Sequence, residues 1–258
     1  MAETPKIRVR GLRKAFDGNV VLDGVDLDIA AGESLALIGR SGSGKSVLAK
    51  CILGLTQPDA GTIEFEGKNV ATMTGREREA MVDKFGCLFQ NGALFDSLLV
   101  WQNVVFALTS ARGWKEEPAK KLAVERLADV GMDAAVAELF PAELSGGMQK
   151  RVAFARAIAA SPDVVVLDDP TAGLDPIVTA AISKLIARII RDSKATALTI
   201  TQDMAVIGKI ADRVAMLYDG KIIWTGPVAA ASHPDNPYVD QFIHGRRHGP
   251  IPIEVTAA

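Results

Sequence analysis

Residues 39–46 read GRSGSGKS and fit the pattern G-x-x-x-x-G-K-[ST], which constrains the local fold more than any other stretch of the chain. A short apolar stretch, ESLALIG, precedes this pattern, and VLAKCILGL follows it with helical spacing. This order predicts a buried strand, a glycine-rich turn and a helix. Glycines allow such a turn to wrap closely enough for its amides to point at phosphate oxygens, and the helix N-terminus adds its positive dipole end. A Gly/Ser-rich turn with a chance lysine is the alternative interpretation.

The turn predicts a nucleotide site with defined roles for two of its residues. We expect Lys45 to reach the β and γ phosphates of ATP, and Ser46 to bind Mg²⁺ through its hydroxyl. The residues assigned to nucleotide binding on this stretch are Gly39, Arg40, Ser41, Gly42, Ser43, Gly44, Lys45, Ser46 and Val47.

A second stretch, VVVLDDPTAGLDP at residues 164–176, places two aspartates directly after an apolar run that suits a buried strand. Two adjacent carboxylates at the carboxyl end of such a strand indicate a cation or a reacting water nearby. We expect Asp168, at the end of a neighbouring parallel strand, to lie beside Ser46 and hold Mg²⁺. Asp169 then lies nearer the γ-phosphate, where a general base or a water-orienting group is needed. A carboxylate that only caps the next helix is the alternative.

Composition narrows the class of protein. The 258 residues are 48% hydrophobic and 23% charged, which is enough apolar material for one large α/β domain or a core with a subdomain. The net charge of −2 argues against nucleic-acid binding through a broad basic surface. No apolar run approaches the roughly 18 residues that cross a bilayer, so we expect a soluble chain whose membrane contact is peripheral. Cys51 and Cys87 stand apart in apolar surroundings, which favours reduced core thiols over a disulfide or metal pair.

Periodicity indicates an α/β core interrupted by helices. Residues 6–30 predict an antiparallel β unit with a turn at Asp17-Gly18-Asn19, and FGCLFQ predicts a strand that ends at Gln90. Residues 98–160 are almost wholly helical in spacing, so we interpret them as a helical insertion. The segments DVVVLD and ATALTIT, with a helix between them, restore the β-α-β alternation of a parallel sheet.

The C-terminal part begins with a hairpin and then loses its periodicity. We expect a tight primed turn at Asp219-Gly220, and an irregular, partly ordered extension from Pro227 onward. The extension holds the Arg246-Arg247 pair and every histidine of the chain. The histidines are His233, His244 and His248. Their spacing matches no metal motif, so a solvated tail is favoured over a metal site, and a membrane or partner contact through GRRHG stays open.

The stretch LSGGMQKR, residues 144–151, predicts a second anion-binding helix terminus, with Ser145 at the helix start and Gly146 and Gly147 behind it. One phosphate site does not need two such termini from one chain. With these features the chain resembles the ATP-binding subunits of ABC transporters: a P-loop, a glutamine at a strand end (Gln90), LSGGM, an apolar strand ending in aspartate, and AGLDP around Asp175. The resemblance covers residues 6 to about 226.

The resemblance implies a fold and a domain arrangement. The fold is α/β, a P-loop NTPase with a RecA-like core, an antiparallel β subdomain and a helical ABC subdomain. The implied ATPase domain is residues 1–227, with the core at about 1–89 and 161–227 and the helical subdomain at about 90–160. Residues 228–258 form the C-terminal extension.

The resemblance also implies cofactors, partners and further site residues. ATP and Mg²⁺ are the cofactors, and two copies pair head to tail so that Ser145, Gly146 and Gly147 of one copy close over the ATP of the other. Asp175 is similar to the residue that crosses this dimer seam, with a plain turn aspartate as the alternative. Phe16 is similar to the aromatic that stacks on adenine, with core packing as the alternative. Gln90 is similar to the glutamine that touches Mg²⁺ and reports to the membrane partner, with a strand-end amide as the alternative.

Within the family, two stretches narrow the resemblance. LFQNGALFDSLLVWQNV and PAELSGGMQKRVAFARAIA are similar to the ATPase subunits of Mla-type and related MCE transporters, which move phospholipids or other hydrophobic molecules between bacterial membranes. The implied partners are an integral membrane permease and an MCE-type lipid-binding subunit, and the implied location is the cytoplasmic face of the inner membrane. The ATPase of an importer for polar solutes is the alternative.

Two positions depart from the family pattern, and both belong to hydrolysis. The family carries a catalytic glutamate where Asp169 stands, and a histidine that contacts the γ-phosphate where Gln202 stands. Aspartate keeps the charge but draws the carboxylate back by about 1.5 Å, and glutamine can donate a hydrogen bond but, unlike histidine, cannot take up a proton or a positive charge. A helix-start amide without function is the alternative for Gln202. The departures favour slow hydrolysis, and they keep open an ATP-gated dimerising module with little or no turnover. A soluble DNA-repair or translation protein of the family is disfavoured, because those usually carry two ATPase halves in one chain.

Overall fold

The chain forms two β-sheets in a computed structural model that describes residues 4–90 and 92–252. The strands are β1 Ile7–Phe16, β2 Asn19–Ile29, β3 Ser34–Ile38, β4 Ala60–Phe65, β5 Lys68–Asn69, β6 Phe85–Leu88, β7 Val164–Asp168, β8 Thr196–Ile200, β9 Arg213–Tyr218 and β10 Lys221–Pro227. The α-helices are α1 Lys45–Ile52, α2 Gly75–Val82, α3 Val100–Val104, α4 Phe106–Ser110, α5 Glu116–Asp129, α6 Gly146–Ile158, α7 Pro176–Ser193, α8 Met204–Ile210, α9 Val228–Ala231 and α10 Pro237–His244. Short 3₁₀ turns lie at Val70–Thr72, Ala134–Glu138 and Pro141–Glu143.

The larger sheet has six strands in the order β10-β9-β3-β8-β7-β6, and its five strands from β9 to β6 pair in parallel. The central strands β3 and β8 are buried along their whole length, as expected of strands covered on both faces. The prediction that the strand before Asp168 neighbours the strand before Gly39 is wrong, because β8 lies between β3 and β7. Each of β3 and β7 therefore bonds to β8 instead of to the other.

The register aligns the carboxyl ends of the parallel strands. Ile200 of β8 pairs with Leu37 of β3 on one side and with Asp168 of β7 on the other. Leu88 of β6 pairs with Leu167. The loops that follow β3, β6, β7 and β8 consequently open at one edge of the sheet, which is where ligands bind in open α/β sheets.

The smaller, antiparallel sheet has the order β2-β1-β4-β5 and confirms the predicted N-terminal β unit. Asp17 and Gly18 both have positive φ, 48° and 81°, and Phe16 pairs with Asn19 across them, so this is a two-residue primed hairpin. The Asp219-Gly220 turn has the same form, with φ of 48° and 70°. One apolar cluster joins this sheet to α1 and to one face of the larger sheet.

Helices and 3₁₀ turns fill the chain between β6 and β7. They build a second apolar cluster around Trp101, Leu127 and Phe154, and this cluster packs against β7 and α7. The strand predicted to end at Gln90 stops at Leu88, so Gln90 lies two residues beyond it on an exposed turn. Within the described ranges, no helix combines the length and the apolar character that crossing a membrane requires.

The expectation of an irregular, partly ordered C-terminal extension is wrong for residues 228–244, and residues 253–258 lie outside the described residues. After Pro227 the chain forms α9 and α10, and Ala231, Val239 and Ile251 are buried in a third cluster with side chains of β3 and β9. Local signals explain α10, because the Asn236 side chain accepts from the amides of Tyr238 and Val239, and Gly245 ends the helix with φ of 60°. The buried Gln241 side chain bonds both main-chain groups of Ile251.

Candidate nucleotide-binding site

The glycine-rich turn after β3 has a backbone that only glycine can follow. Gly39 has φ of +147°, and a Cβ there would lie 2.2 Å from the Leu217 carbonyl oxygen and 2.9 Å from Ser43 Oγ. Gly44 has φ of +98°, and its Cβ would lie 3.0 Å from side-chain atoms of Val21 and Leu22. The turn is therefore pressed against β2 and the end of β9, which fixes its main chain as a closely wrapped cradle.

Lys45 occupies the centre of this cradle. Its side chain is buried, and Nζ donates to the carbonyl oxygens of Gly39 at 2.8 Å and Arg40 at 2.7 Å. Burial lowers the pKa of the Lys45 ammonium, while the charges of Asp168 and Asp169 act in the opposite direction. A desolvated cation held by main-chain carbonyls is suited to an anionic ligand, because an anion restores the lost charge compensation.

Two further features of the turn fit a phosphate. Among the described residues, Ser43 Oγ is one of four buried side-chain polar atoms without a hydrogen-bond partner. Gly44 precedes α1 and has no side chain to cap it, so amides in the first turn of α1 are available to an anion. The hydroxyl lies on the turn two residues before Lys45, and the helix terminus begins at Lys45.

The acid pair lies across β8 from the cradle. Asp168 ends β7, and Asp169 follows in the left-handed region with φ of 50°, its amide donating to the Ile200 carbonyl at 2.8 Å. Burial raises the pKa of Asp169, as does the neighbouring Asp168, whereas Lys150 and Lys45 lower it. A carboxylate with a raised pKa is a stronger proton acceptor, which suits the predicted general base.

The remaining predicted site residues on this edge are both exposed amides. Gln90 follows β6, and Gln202 follows β8 by two residues. Asp203, next to Gln202, caps α8 by accepting from the amide of Ala205 at 2.8 Å. Gln202 therefore lies on the loop between those carrying Lys45 and Asp169, because β8 is the strand between them.

The donor set fits Mg²⁺ held jointly with a nucleotide. Ser46, Asp168 and Gln90 offer hydroxyl, carboxylate and amide oxygens, which are the hard ligands that Mg²⁺ takes. In the described part of the chain, no group of three or more His, Cys, Asp and Glu residues forms a metal cage. A site with few protein ligands is usual for Mg²⁺, which keeps waters and takes substrate phosphates as its other ligands.

The LSGGM stretch begins α6 as predicted. Ser145 is the N-cap, and its Oγ accepts from the amide of Met148 at 3.3 Å. Ser145 and Gly146 are exposed, so this helix N-terminus faces away from the core. A Cβ at Gly147 would lie 3.0 Å from Val178 Cγ1 on α7, which explains a small residue there.

Asp175 and Phe16 lie on exposed turns. Asp175 caps α7, its Oδ1 accepting from the amides of Ile177 at 2.9 Å and Val178 at 3.0 Å. This capping is the role that the turn-aspartate alternative requires, and a contact across a dimer remains a prediction. Phe16 is 45% exposed at the end of β1, with Lys14 Nζ 5.2 Å from its ring centroid, so it does not pack in the core.

Sequence reasoning missed one residue of this region. Lys150 of α6 is 9% exposed, and its Nζ donates to the carbonyl oxygen of Gln90. Burial lowers the pKa of its ammonium, while the charges of Asp169 and Asp168 act in the opposite direction. The only signal in the sequence was a lysine at a position that faces the core side of α6, five residues after the N-cap.

Comparisons with known proteins show which proteins this chain is similar to. A family model described as "ABC transporter" matches residues 22–172. The probable ribonucleotide transport ATP-binding protein mkl of Mycobacterium leprae (strain TN) is 38% identical over 95% of this chain and 70% of its own length. The intermembrane phospholipid transport system ATP-binding protein MlaF of Haemophilus influenzae is 34% identical over 97% of this chain and 95% of its own length. A dimeric ATP-binding cassette solved in a post-hydrolysis state with ADP and Pi superposes with a TM-score of 0.78 at 28% identity, over 86% of this chain and 98% of that one.

Proposed function

Because this chain belongs to the ABC transporter family as an ATP-binding subunit, we propose that it works as a homodimer that hydrolyses ATP to drive a separate permease for phospholipid or a related hydrophobic molecule. One observation carries the proposal. The Lys45 cradle, the carboxylates of Asp168 and Asp169, and the side-chain amides that follow β6 and β8 all lie at the same edge of the larger sheet. No other edge of the larger sheet in the described residues receives the loops of four parallel strands.

Each side chain at this edge, together with Phe16 at the end of β1 in the smaller sheet, has a role in the proposed reaction. Lys45 and the amides of the glycine-rich turn bind the β and γ phosphates, and Phe16 stacks on the adenine. Ser46, Asp168 and Gln90 hold Mg²⁺, which when bound offsets phosphate charge. Asp169 orients the attacking water and accepts its proton, and Gln202 donates an amide N–H to the γ-phosphate.

The second helix terminus completes the site from another copy of the chain. Ser145, Gly146 and Gly147 of one protomer bind the nucleotide held by the partner, with Asp175 at the seam. Two observations support this arrangement: the exposed N-terminus of α6, and the structural relative that was solved as a dimer. The Lys45 cradle already has the N-terminus of α1 for its own phosphates, so an exposed N-terminus on α6 is available to the nucleotide of another copy.

The lipid assignment is supported by a relative and by a surface. MlaF, named for intermembrane phospholipid transport, aligns with 97% of this chain. Phe95 and Phe106 form an exposed pair, with ring centroids 4.4 Å apart and exposures of 42% and 36%, close in sequence to Gln90. Exposed apolar side chains of this kind suit a protein partner. We assign this pair to the permease contact, with an MCE-type lipid-binding subunit in the same complex and the ATPase at the cytoplasmic face of the inner membrane.

The test is reconstitution of the chain with its permease in proteoliposomes. We expect the permease to co-purify, and ATP turnover to require it and to rise with labelled phospholipid supplied by the lipid-binding subunit. Lys45→Ala should abolish both ATP affinity and turnover, because it removes the buried cation of the cradle. Stimulation by ribonucleotides or amino acids in place of lipid would overturn the lipid assignment and favour the polar-solute importer suggested by relatives such as mkl.

One observation favours a second candidate function. Asp169 and Gln202 replace the glutamate and histidine of the family pattern, and both changes fall on hydrolysis. An ATP-gated module would dimerise with ATP without sustained phosphate release. If the wild-type chain dimerises with ATP but releases phosphate no faster than the Asp169→Asn variant, even with permease present, this candidate is favoured over the transport ATPase.

A further inference from the structure

Helix α6 holds the loop after β6 through two cations that come from its own side chains. Lys150 Nζ donates to the carbonyl oxygen of Gln90. Arg156 donates through Nη2 to the Gly92 carbonyl at 2.6 Å and through Nη1 to the Ala93 carbonyl at 2.8 Å. The donors lie 60 or more residues after the acceptors in sequence, so the contacts join two separate parts of the chain.

The loop that these cations hold is strained. Gly92 and Ala93 are both left-handed, with φ of 70° and 47°, and alanine is disfavoured there because of its Cβ. Residues persist in such conformations only when their surroundings fix them, and they concentrate at functional sites. On the far side, buried Asn103 bonds both main-chain groups of Phe95, at 2.7 Å to its amide and 3.1 Å to its carbonyl.

Burying the charged groups of Lys150 and Arg156 costs desolvation free energy, which argues that these side chains do more than fill space. Lys150 is buried and Arg156 half-buried, and each donates its hydrogen bonds to main-chain oxygens, with no carboxylate of the described residues within ion-pair distance. A neutral side chain at either position would be buried with a smaller desolvation cost. The carbonyl oxygens they satisfy belong to the turn that presents the Gln90 side chain.

We propose that Lys150 is a positioning residue: its ammonium fixes the main chain of Gln90 so that the amide side chain is presented to the Mg²⁺ held by Ser46 and Asp168. This inference rests on the proposed function of that site. It has a second consequence, because α6 begins at Ser145, the residue assigned to the partner's nucleotide. Helix α6 then carries two contacts: Lys150 supports Gln90 in the protomer's own nucleotide site, and Ser145 reaches the nucleotide site of the partner protomer.

The test measures the affinity for ATP with and without Mg²⁺, which does not depend on hydrolysis. Lys150→Met keeps the aliphatic length and removes the donor. We expect the ATP dissociation constant without Mg²⁺ to stay within about twofold of wild type, and the gain in affinity on adding Mg²⁺ to fall by about tenfold, the loss typical of removing support for a metal ligand. Where turnover is measurable, kcat should fall with an unchanged KM for ATP at saturating Mg²⁺.

Arg151→Met is the matched control, because Arg151 is the next cation on α6 but donates to the carbonyls of Val130 and Gly131 instead. We expect it to leave the Mg²⁺ effect unchanged, and Lys150→Arg, which keeps a donor, to recover at least part of it. Should Lys150→Met prove unfolded by circular dichroism, Lys150→Gln is measured in the same way. An unchanged Mg²⁺ effect in the folded neutral variant, or an equal loss in Arg151→Met, would overturn the proposal. Absence of turnover in wild type with a normal Mg²⁺ effect would overturn the ATPase function alone.

Discussion

Substitutions of Asp169 test the proposed chemistry, because they are expected to change the rate of ATP hydrolysis and the thermal stability of the chain in opposite directions. Its carboxylate is half-buried beside Asp168, and burial raises its pKa. Its backbone is left-handed, with φ of 50°. The side chain therefore sits at a position that is unfavourable for its charge and for most residues other than glycine, asparagine and aspartate.

Asp169→Glu should speed hydrolysis at some cost in stability. One more methylene moves the carboxylate about 1.5 Å toward the γ-phosphate, and displacements of that order change rates by up to about 10²-fold, which is about 2.7 kcal/mol of barrier. Glutamate tolerates the left-handed backbone less well than aspartate, so we expect about 1 kcal/mol of destabilisation and a Tm lower by about 2–4 °C. The backbone cost is present in ground and transition states alike, so it does not cancel the gain in rate.

Asp169→Asn should have the opposite pair of effects. Asparagine tolerates positive φ and removes a buried charge next to Asp168, so we expect an unchanged or higher Tm without nucleotide. It cannot accept a proton, so turnover should fall by about 10²-fold or more. The assays are steady-state phosphate release with permease present, and thermal melts of the nucleotide-free chain. Turnover of Asp169→Asn at the wild-type rate would refute the assignment of Asp169 as the base.

Three further outcomes follow from the structure. Ser145→Arg should keep ATP binding by the monomer but prevent ATP-dependent dimerisation in light scattering, and dimers of the variant would contradict the shared site. A chain ending at Pro227 exposes the third apolar cluster, so it should lose about 3 kcal/mol or more and melt at a lower temperature, and an unchanged Tm would show that the extension does not support the core. Burial raises the pKa of Cys51 to about 11 and of Cys87 to about 12, so alkylation at pH 8 should be about 100-fold slower at Cys51 and about 1,000-fold slower at Cys87 than in the urea-unfolded chain, and equal rates would contradict their burial.

Much of the fold could be predicted because its signals are local. The two primed hairpin turns follow from Asp-Gly pairs between alternating strands, since these residues accept positive φ at low cost. The buried strands before Gly39 and Asp168 follow from short apolar runs, and the start of α6 follows from a serine ahead of two glycines. In each case, neighbouring residues alone determine the conformation.

The features that could not be predicted depend on contacts between distant parts of the chain. Strand order is one, because an apolar run such as VVVLD suits any central position, and only the assembled sheet puts β8 between β3 and β7. The packing of the C-terminal extension is another: α10 has local cap signals, but its apolar residues are separated by prolines and polar residues, and they gain burial only against the face of β3 and β9. The contact of Lys150 with Gln90 spans 60 residues, and no local pattern encodes it.

The position of β8 also explains why the two departures from the family pattern should be considered together. Asp169 donates its amide to Ile200, and Gln202 follows Ile200 by two residues, so the groups assigned to the water and to the γ-phosphate are attached to adjoining strand ends. A histidine at 202 would contact the phosphate without bringing the water closer to the carboxylate, so Gln202→His alone should change turnover little. In the Asp169→Glu background the water is already in reach, and the same change should raise turnover further. Neighbouring groups couple by about 0.5–3 kcal/mol, so we expect the double variant to exceed the product of the single effects by at least about twofold in phosphate release. Strict multiplicativity would mean that the two side chains act on separate steps, with Gln202 serving only as the residue before the α8 cap.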